Sequence, residues 1–558
     1  LRTFEIAIEE SNPATVMTSY NKLNGVYTSA SEELLTRVLR EEWGYEGLVM
    51  SDWFGGFSIQ DVKTGRFEPN IAWQQIAAGN DLLMPGLPQQ KQNIMEALKQ
   101  KKLSQEALNR SARRVLKLIF QSPKMNGHTF GNQPDLNKHA PIAREAAAEG
   151  MILLKNDRAL PLLKAQKAAL FGTTSYHFIA GGTGSGFVNK AYVVSLADGL
   201  KKAKHEIDAD LEKRYRTFME KDISDILKSF GANSLRSMAS APELKIDQAS
   251  LEKSAEEQDV AIVTIGRISG EMRDRKLEND FNLTADEAAL IKEVSETFRS
   301  RNKKIAVVLN VGGVVETASW KDEVDAILLA WQPGQEGGDA VTDVLIGKVN
   351  PSGKLTMTFP MKYADVPSSA TFPGTPADQP IELFYEDGIY VGYRYYDTFG
   401  VDVSYEFGHG LSYTNFEYSR LELSGKEFKD AITATINIKN TGTIPGREVV
   451  QLYLSAPCGD IDKPVQELKR FGKTKLLQPG ESQILSFKLS AKDLASFYPT
   501  FSAWVADQGE YVVRVGASAS DIRQKQTFTL PLRLQVEKVG NVLNRNRDFD
   551  EIKAKMLP

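Results

Sequence analysis

What this chain has little of already narrows its chemistry. Its 558 residues include one cysteine, Cys458, and five histidines (His128, His139, His177, His205 and His409), no two of them at the short spacing of a ligand pair. An intramolecular disulfide and a thiolate metal cluster are excluded, and no metal or cofactor is expected. The lone cysteine fits a reducing cytoplasm and a periplasm equally. Neither sign of charge dominates: 68 Lys+Arg stand against 72 Asp+Glu, a net charge of −4. No basic stripe advertises nucleic acid, and no long acidic tail advertises a basic partner. Apolar runs such as Ala326–Trp331 fall far short of the roughly 20 residues of a membrane span. The chain opens on Leu1-Arg2-Thr3, without an initiator methionine or a signal-peptide pattern. The native start is therefore expected to have been removed or to lie on another piece of chain. What remains is ordinary globular composition, 42% hydrophobic and 25% charged, enough for about three or four domains.

Residues 1–120 alternate short apolar runs with helical patterns. Strands are expected at Ala14–Thr18, Gly47–Ser51 and Asp81–Met84, and helices at Ser31–Glu42 and Ile71–Ala78. Continuous apolar strands separated by helices mean βαβ units and a buried parallel sheet. Working residues in such sheets sit just past the strand C-termini, where Tyr20, Asp52-Trp53 and Pro85-Gly86 fall. Three βα units cannot close an eight-stranded barrel alone. Residues 121–138, rich in Pro, Gly and Asn, read as a linker. A second α/β region, 139–360, has expected strands at Ala168–Phe171, Val260–Ile265, Lys304–Leu309 and Ala326–Trp331, with a helix at Ala285–Phe298. A Pro- and Tyr-rich connecting segment, 361–412, follows. Residues 413–535 then switch to strict alternation at Ile432–Ile438, Val449–Leu454, Gln483–Leu489 and Glu510–Gly516, the pattern of a fibronectin- or immunoglobulin-type β-sandwich. The tail, 536–558, is charged, and Asp548–Met556 is expected to form a short helix.

Two carboxylates stand out. Asp52 ends an apolar strand and is followed by Trp53, whose indole offers a flat wall suited to a sugar face. The alternative is a helix N-cap or a loop salt bridge. Glu271 follows the strand Val260–Ile265, next to Gly270, where a ligand could approach closely. Arg267, Arg273 and Arg275 could instead hold it in a surface ion pair. The run Gly181–Gly186 lacks the Lys-Ser/Thr pair of a phosphate-binding loop and the dinucleotide fingerprint. It reads as a flexible loop that lets backbone and Ser185 reach a ligand. Gly312-Gly313 and Gly334–Gly338 read as turns. Ser269 and Ser319 have no His/Asp context, against a serine hydrolase.

A collinear series of motifs, from residue 1 to about 535, resembles glycoside hydrolase family 3. It comprises ATVMTSYNKLNG (14–25), LREEWGYEGLVMSDW (39–53), AGNDLLMPG (78–86), AREAAAEGMILLKN (143–156), Gly270-Glu271, NPSGKL (350–355), VGYRYY (391–396) and FGHGLSY (407–413), the last with His409 where the family more often has Tyr. The resemblance implies an α/β multidomain protein: the C-terminal part of a (β/α)8-type barrel, an α/β sandwich domain and a fibronectin type III-like β-sandwich. It implies that Asp52 is the catalytic nucleophile, that Glu271 is the general acid/base from the second domain, and that Met17, Tyr20, Trp53 and Ser185 contact the sugar.

On that resemblance the expected activity is a retaining, exo-acting β-glucosidase working on a small β-linked oligosaccharide or aryl glycoside. Its two carboxyl groups would lie about 5–5.5 Å apart when the site is closed. A β-xylosidase or mixed enzyme is the alternative within the class; an inactive fragment or carbohydrate-binding remnant is the alternative outside it. Family members carry five more barrel strands, with a Lys-His-Phe motif that is absent from this sequence. The chain is thus expected to be the C-terminal part of a larger enzyme, with the other strands lost or supplied in trans. An unclosed parallel sheet exposes edges and apolar faces, so the chain is expected to pair with that segment, form a homodimer or aggregate.

Overall fold

A computed structural model describes residues 1–57, 71–230, 243–271, 274–378 and 380–554, with the backbone alone described at 221–230. It divides into two compact units. One holds residues 1–134 with 497–505 and 535–549; the other holds 135–496 with 506–534 and 550–558. Among the described residues no helix is long and apolar enough to cross a membrane.

The first unit is built of barrel-type βα elements. Strand β1 (Thr15–Thr18) leads through a small hairpin, β2 (Lys22–Leu23) and β3 (Val26–Tyr27), to a helix at Glu33–Glu42 and then to β4 (Leu48–Ser51). β1 and β4 run parallel, with Thr15 opposite Leu48 and Thr18 opposite Ser51. The helix turns its Leu35 and Leu39 onto Val49, Tyr45, Ile8 and Ala78, and ends on a wide i→i+5 bond from Trp43 N–H to Val38 O. A second small core gathers Ala72, Ile76, Leu83, Ala97, Leu103 and Ala107, drawn from helices Ala72–Ala78, Pro88–Lys99 and Gln105–Gln121 and their connections.

The strand expected at Asp81–Met84 is reduced to a single parallel bridge between Leu82 and Met50. Side chains replace its ladder partners on both sides. The Asp81 carboxylate accepts the Val49 N–H at 3.0 Å, and the Ser51 hydroxyl accepts the Met84 N–H at 2.8 Å. Asp81 is buried and also bridges Arg40 at 2.8 Å and Arg114 at 2.9 Å. Burial holds the Arg40 guanidinium below its ordinary pKa, an effect the Asp81 charge only partly offsets.

The second unit carries a five-stranded sheet in the order β5 (Ile152–Asn156), β9 (Ala326–Leu329), β8 (Lys304–Val311), β7 (Val260–Arg267), β6 (Ala168–Phe171). β6 to β9 are parallel, and β5, not foreseen as a strand, closes one edge antiparallel to β9. Every residue of β7 is buried, as expected of a parallel strand covered on both faces. The helix expected at Ala285–Phe298 runs Ala285–Arg299 and starts on a Thr284/Glu287 capping box. Beyond it lies the fibronectin-like sandwich. One sheet is ordered Glu467–Lys473, Val449–Ser455, Gly509–Gly516, Ile522–Leu530; in the other, Ala431–Asn440 lies between neighbours that include Ser482–Ser490. Ala431–Asn440 alternates buried and half-buried positions along most of its length. The tail departs from expectation: residues 548–553 form no helix, and 555–558 lie outside the described residues.

Removing the Asp81 carboxylate leaves the buried Arg40 unpaired, so Asp81→Ala should destabilise the first unit by about 3–5 kcal/mol. Denaturant unfolding of the purified variant measures this.

Candidate active site

On the first unit, Asp52 leaves β4 where the strand is already locked to its neighbours. Its N–H donates to Thr18 O at 3.2 Å, its carbonyl accepts from Gly55 N–H at 3.0 Å, and Phe54 N–H donates to Met84 O at 3.1 Å. The carboxylate oxygen Oδ1 accepts the Trp53 N–H at 2.7 Å. Residues 53–57 form turns, not a helix, so Asp52 is not an N-cap among the described residues. The guanidiniums of Arg40 and Arg114 are engaged by Asp81. From below, buried Gln75 donates to Gly55 O and Ser29 Oγ, each at 2.9 Å. Around this point three large side chains face outward: Met17 at 56% exposure, Tyr20 at 50% and Trp53 at 46%. Apolar residues that turn away from the core beside a strand-end carboxylate suit contact with the apolar face of a pyranose.

On the second unit, Glu271 sits in the loop that follows β7. The Ser185 hydroxyl donates to Glu271 Oε1. The glycine run packs directly against this loop: Thr183 N–H donates to Ser269 O at 2.9 Å. A Cβ at Gly182 would fall 2.8 Å from Ser269 Oγ, and one at Gly184 (φ +75°) would fall 2.7 Å from Glu271 Oε2. Ser269 is itself held by Gln332 at 2.9 Å. The ion-pair alternative fails for both described arginines. Arg267 is buried and bound by Glu287 at 2.5 and 2.6 Å; Arg275 is bound by Asp280 at 2.6 Å. Arg273 lies outside the described residues. Sequence reasoning brought out Ser185 and Glu271 but missed the close approach of Gly182 and Gly184; the density of glycine in 181–186 was its only signal.

Asp52, Met17, Tyr20 and Trp53 thus belong to one compact unit, and Glu271 and Ser185 to the other. Comparison with known proteins gives this division a context. Residues 1–118 match the model of the glycosyl hydrolase family 3 N-terminal domain, 151–413 that of the family 3 C-terminal domain, and 448–519 that of a fibronectin type III-like domain. A solved structure of beta-glucosidase 3B from Thermotoga neapolitana in complex with glucose is 47% identical, with a TM-score of 0.88 over 96% of this chain and 73% of that one. The chain belongs to glycoside hydrolase family 3. Among curated relatives of this family 3 chain, thermostable beta-glucosidase B of Acetivibrio thermocellus is 36% identical over 96% of the chain. Beta-glucosidase A of Butyrivibrio fibrisolvens is 38% identical over 73% of it. The chain spans 66% of the length of the first and 53% of the second.

A further titratable group lies at the end of β6, on the strand-C-terminal side of the family 3 C-terminal domain's sheet. The Glu243 carboxylate accepts from Thr173 N–H at 3.1 Å, from the Tyr215 hydroxyl at 2.9 Å and from Leu244 N–H at 3.1 Å. Burial outweighs these donors and pushes its carboxyl from 4.5 up to about 7. The folded state therefore holds this proton more tightly than the unfolded chain. The stability it contributes is complete below about pH 4.5 and is lost as the pH rises through about 7. Thermal unfolding should show the second unit less stable at pH 7.5 than at pH 5.5, and Glu243→Gln should flatten that dependence.

Proposed function

We propose that this chain carries both catalytic carboxylates of a retaining, exo-acting β-glucosidase. The observation that supports this most directly is the environment of the two carboxylates. Asp52 and Glu271 are held by neutral donors, Trp53 N–H and the Ser185 hydroxyl, while Arg40, Arg114, Arg267 and Arg275 are bound by other carboxylates. The relatives' shared name, beta-glucosidase, favours glucose over the β-xylosidase and remnant alternatives.

In this reading Asp52 attacks the anomeric carbon and displaces the aglycone, forming a covalent glycosyl-enzyme. Glu271 donates its proton to the departing oxygen, then takes one from the incoming water, which attacks from the face the aglycone left, opposite Asp52, and breaks the glycosyl-ester bond to return the carboxylate of Asp52. Configuration at the anomeric carbon is retained. Met17, Tyr20 and Trp53 support the sugar, and Ser185 orients the Glu271 carboxyl. The substrate is a small β-linked oligosaccharide or an aryl glycoside.

The proposal extends to a covering partner. Phe4 and Ile6 on helix Arg2–Ser11, and Leu116, Ile119 and Phe120 on helix Gln105–Gln121, are exposed. Further βα units, on this or another polypeptide, would bury these faces, with a second copy of the chain as the alternative. A soluble monomer in native mass spectrometry, without partner, would overturn this.

Asp52→Asn should lower kcat on p-nitrophenyl β-glucoside by about 10⁴-fold or more with folding intact. Glu271→Ala should lose about 10²–10⁴-fold, and azide should restore turnover of an activated aryl glucoside with formation of the β-glucosyl azide. Full activity in either variant, or glucose binding by the parent without turnover, would sink the reading.

A further inference from the structure

The loop that presents Tyr20 is a hairpin with two residues in each strand, β2 and β3. Its Asn24-Gly25 turn has φ values of 50° and 84°, the positive pair that a two-residue type I′ connection requires. Its base is closed by Thr28 N–H to Asn21 O at 3.1 Å, by Thr28 Oγ1 to Ser19 O at 2.8 Å and by Ser19 Oγ to Asn21 Oδ1 at 2.6 Å. Tyr20 lies inside that closure. A hairpin this short is not stable by itself in water.

The far end of the chain holds its tip. Asn24 Nδ2 donates to the carbonyls of Leu543 and Asn544, both at 3.0 Å, and Asn546 Nδ2 donates back to Asn24 O at 3.3 Å. The same stretch is tied to the helix Glu33–Glu42: Gly540 N–H donates to Glu42 at 2.6 Å and Leu543 N–H to Glu33 at 2.8 Å. Residues 540–546 therefore run from both ends of a packed helix to the turn of the hairpin, inside one compact unit. Asn24 serves twice. It tolerates the left-handed turn conformation, and its amide supplies two donors to carbonyls of a segment at the other end of the sequence.

We propose that residues 540–546 are a positioning strap for the Tyr20 loop, so that the C-terminal tail sets where this side chain meets the sugar. The inference rests on the reading of Tyr20 as a sugar contact. Displacing the turn pivots the hairpin about its Ser19–Thr28 base and carries Tyr20 with it. Small misplacements of a binding group are costly when the geometry of the bound substrate is tight.

Two substitutions at one position separate the strap from the turn. Asn24→Gly keeps the positive φ and removes the donor. Asn24→Asp keeps the shape and turns a carboxylate onto two carbonyls. Each should raise KM for p-nitrophenyl β-glucoside about tenfold while kcat stays within about twofold. Asn546→Ala should do the same more weakly, and the Asn24→Gly/Asn546→Ala double variant should add little to Asn24→Gly. Hydrogen exchange of the same proteins should speed up at residues 19–28 and 540–546 together. Unchanged exchange at 19–28 in Asn24→Gly overturns the strap, with or without turnover. Faster exchange there with KM unchanged overturns the link to the sugar. A parent that exchanges as expected but turns over no glucoside defeats the proposed activity and leaves the strap standing.

Discussion

A guanidinium sealed inside the second unit decides where the Glu271 loop can run. Arg267 is 1% exposed at the end of β7. It donates to Gly266 O at 2.7 Å, to Asp280 O at 3.0 Å, to Asn282 O at 3.5 Å and to both oxygens of Glu287. Burying a charge costs several kcal/mol, and that cost is offset only if its donors stay occupied. Residues 280–287 therefore cannot drift from the strand end without stranding it. The loop leaves at Arg267 and must return at Asp280. Glu287 also accepts the Thr284 N–H at 2.8 Å, so the strand end, the loop's return and the start of the next helix share one ion pair.

The first unit uses the inverse arrangement. There the buried charge is a carboxylate, Asp81, shared between Arg40, Arg114 and the Val49 N–H. Its effect is the same: strand β4, which delivers Asp52, is fixed by a side chain both of whose oxygens are engaged. Buried charges that are saturated do not compete for the exposed carboxylates beside them. Arg40, Arg114, Arg267 and Arg275, held by Asp81, Glu287 and Asp280, are in this way kept from Asp52 and Glu271.

Strand existence was legible from apolar runs, because β6 to β9 are buried along nearly their whole length and carry mostly apolar residues, with Lys304, Asn310 and Arg267 at or near strand ends among the exceptions. Burial in Ala431–Asn440 followed the alternation its sequence shows. What failed was anything decided by side chains acting as backbone. Asp81–Met84 looks like a strand by hydrophobicity, yet the Asp81 carboxylate and the Ser51 hydroxyl take the bonds a neighbouring ladder would have made. Asp548–Met556 looks helical by charge, yet residues 548–553 form no helix; the stretch before it, 540–546, is held by the Asn24 turn and by Glu42. Such substitutions depend on partners remote in sequence, which a local pattern cannot see. The place of Asp52 and Glu271 after strands was legible, while the roles assigned to them came from the resemblance alone; the glycines that pack beside Glu271 were read for the wrong property.

Glycine at 182 and 184 looks like freedom, and here it records proximity; a Cβ at Gly181 or Gly186 of the same run would meet nothing within 4 Å among the described residues. Gly182 lies against Ser269 and Gly184 against Glu271, with the Thr183 N–H bonded to Ser269 O between them. A Cβ at 184 would fall 2.7 Å from Glu271 Oε2 and 2.8 Å from its Cβ, and the residue would have to hold φ +75° as well. Any side chain there pushes the carboxylate off the Ser185 hydroxyl. Glycine at 184 therefore lets the backbone lie against Glu271, and the serine that follows is delivered to the carboxylate by that contact.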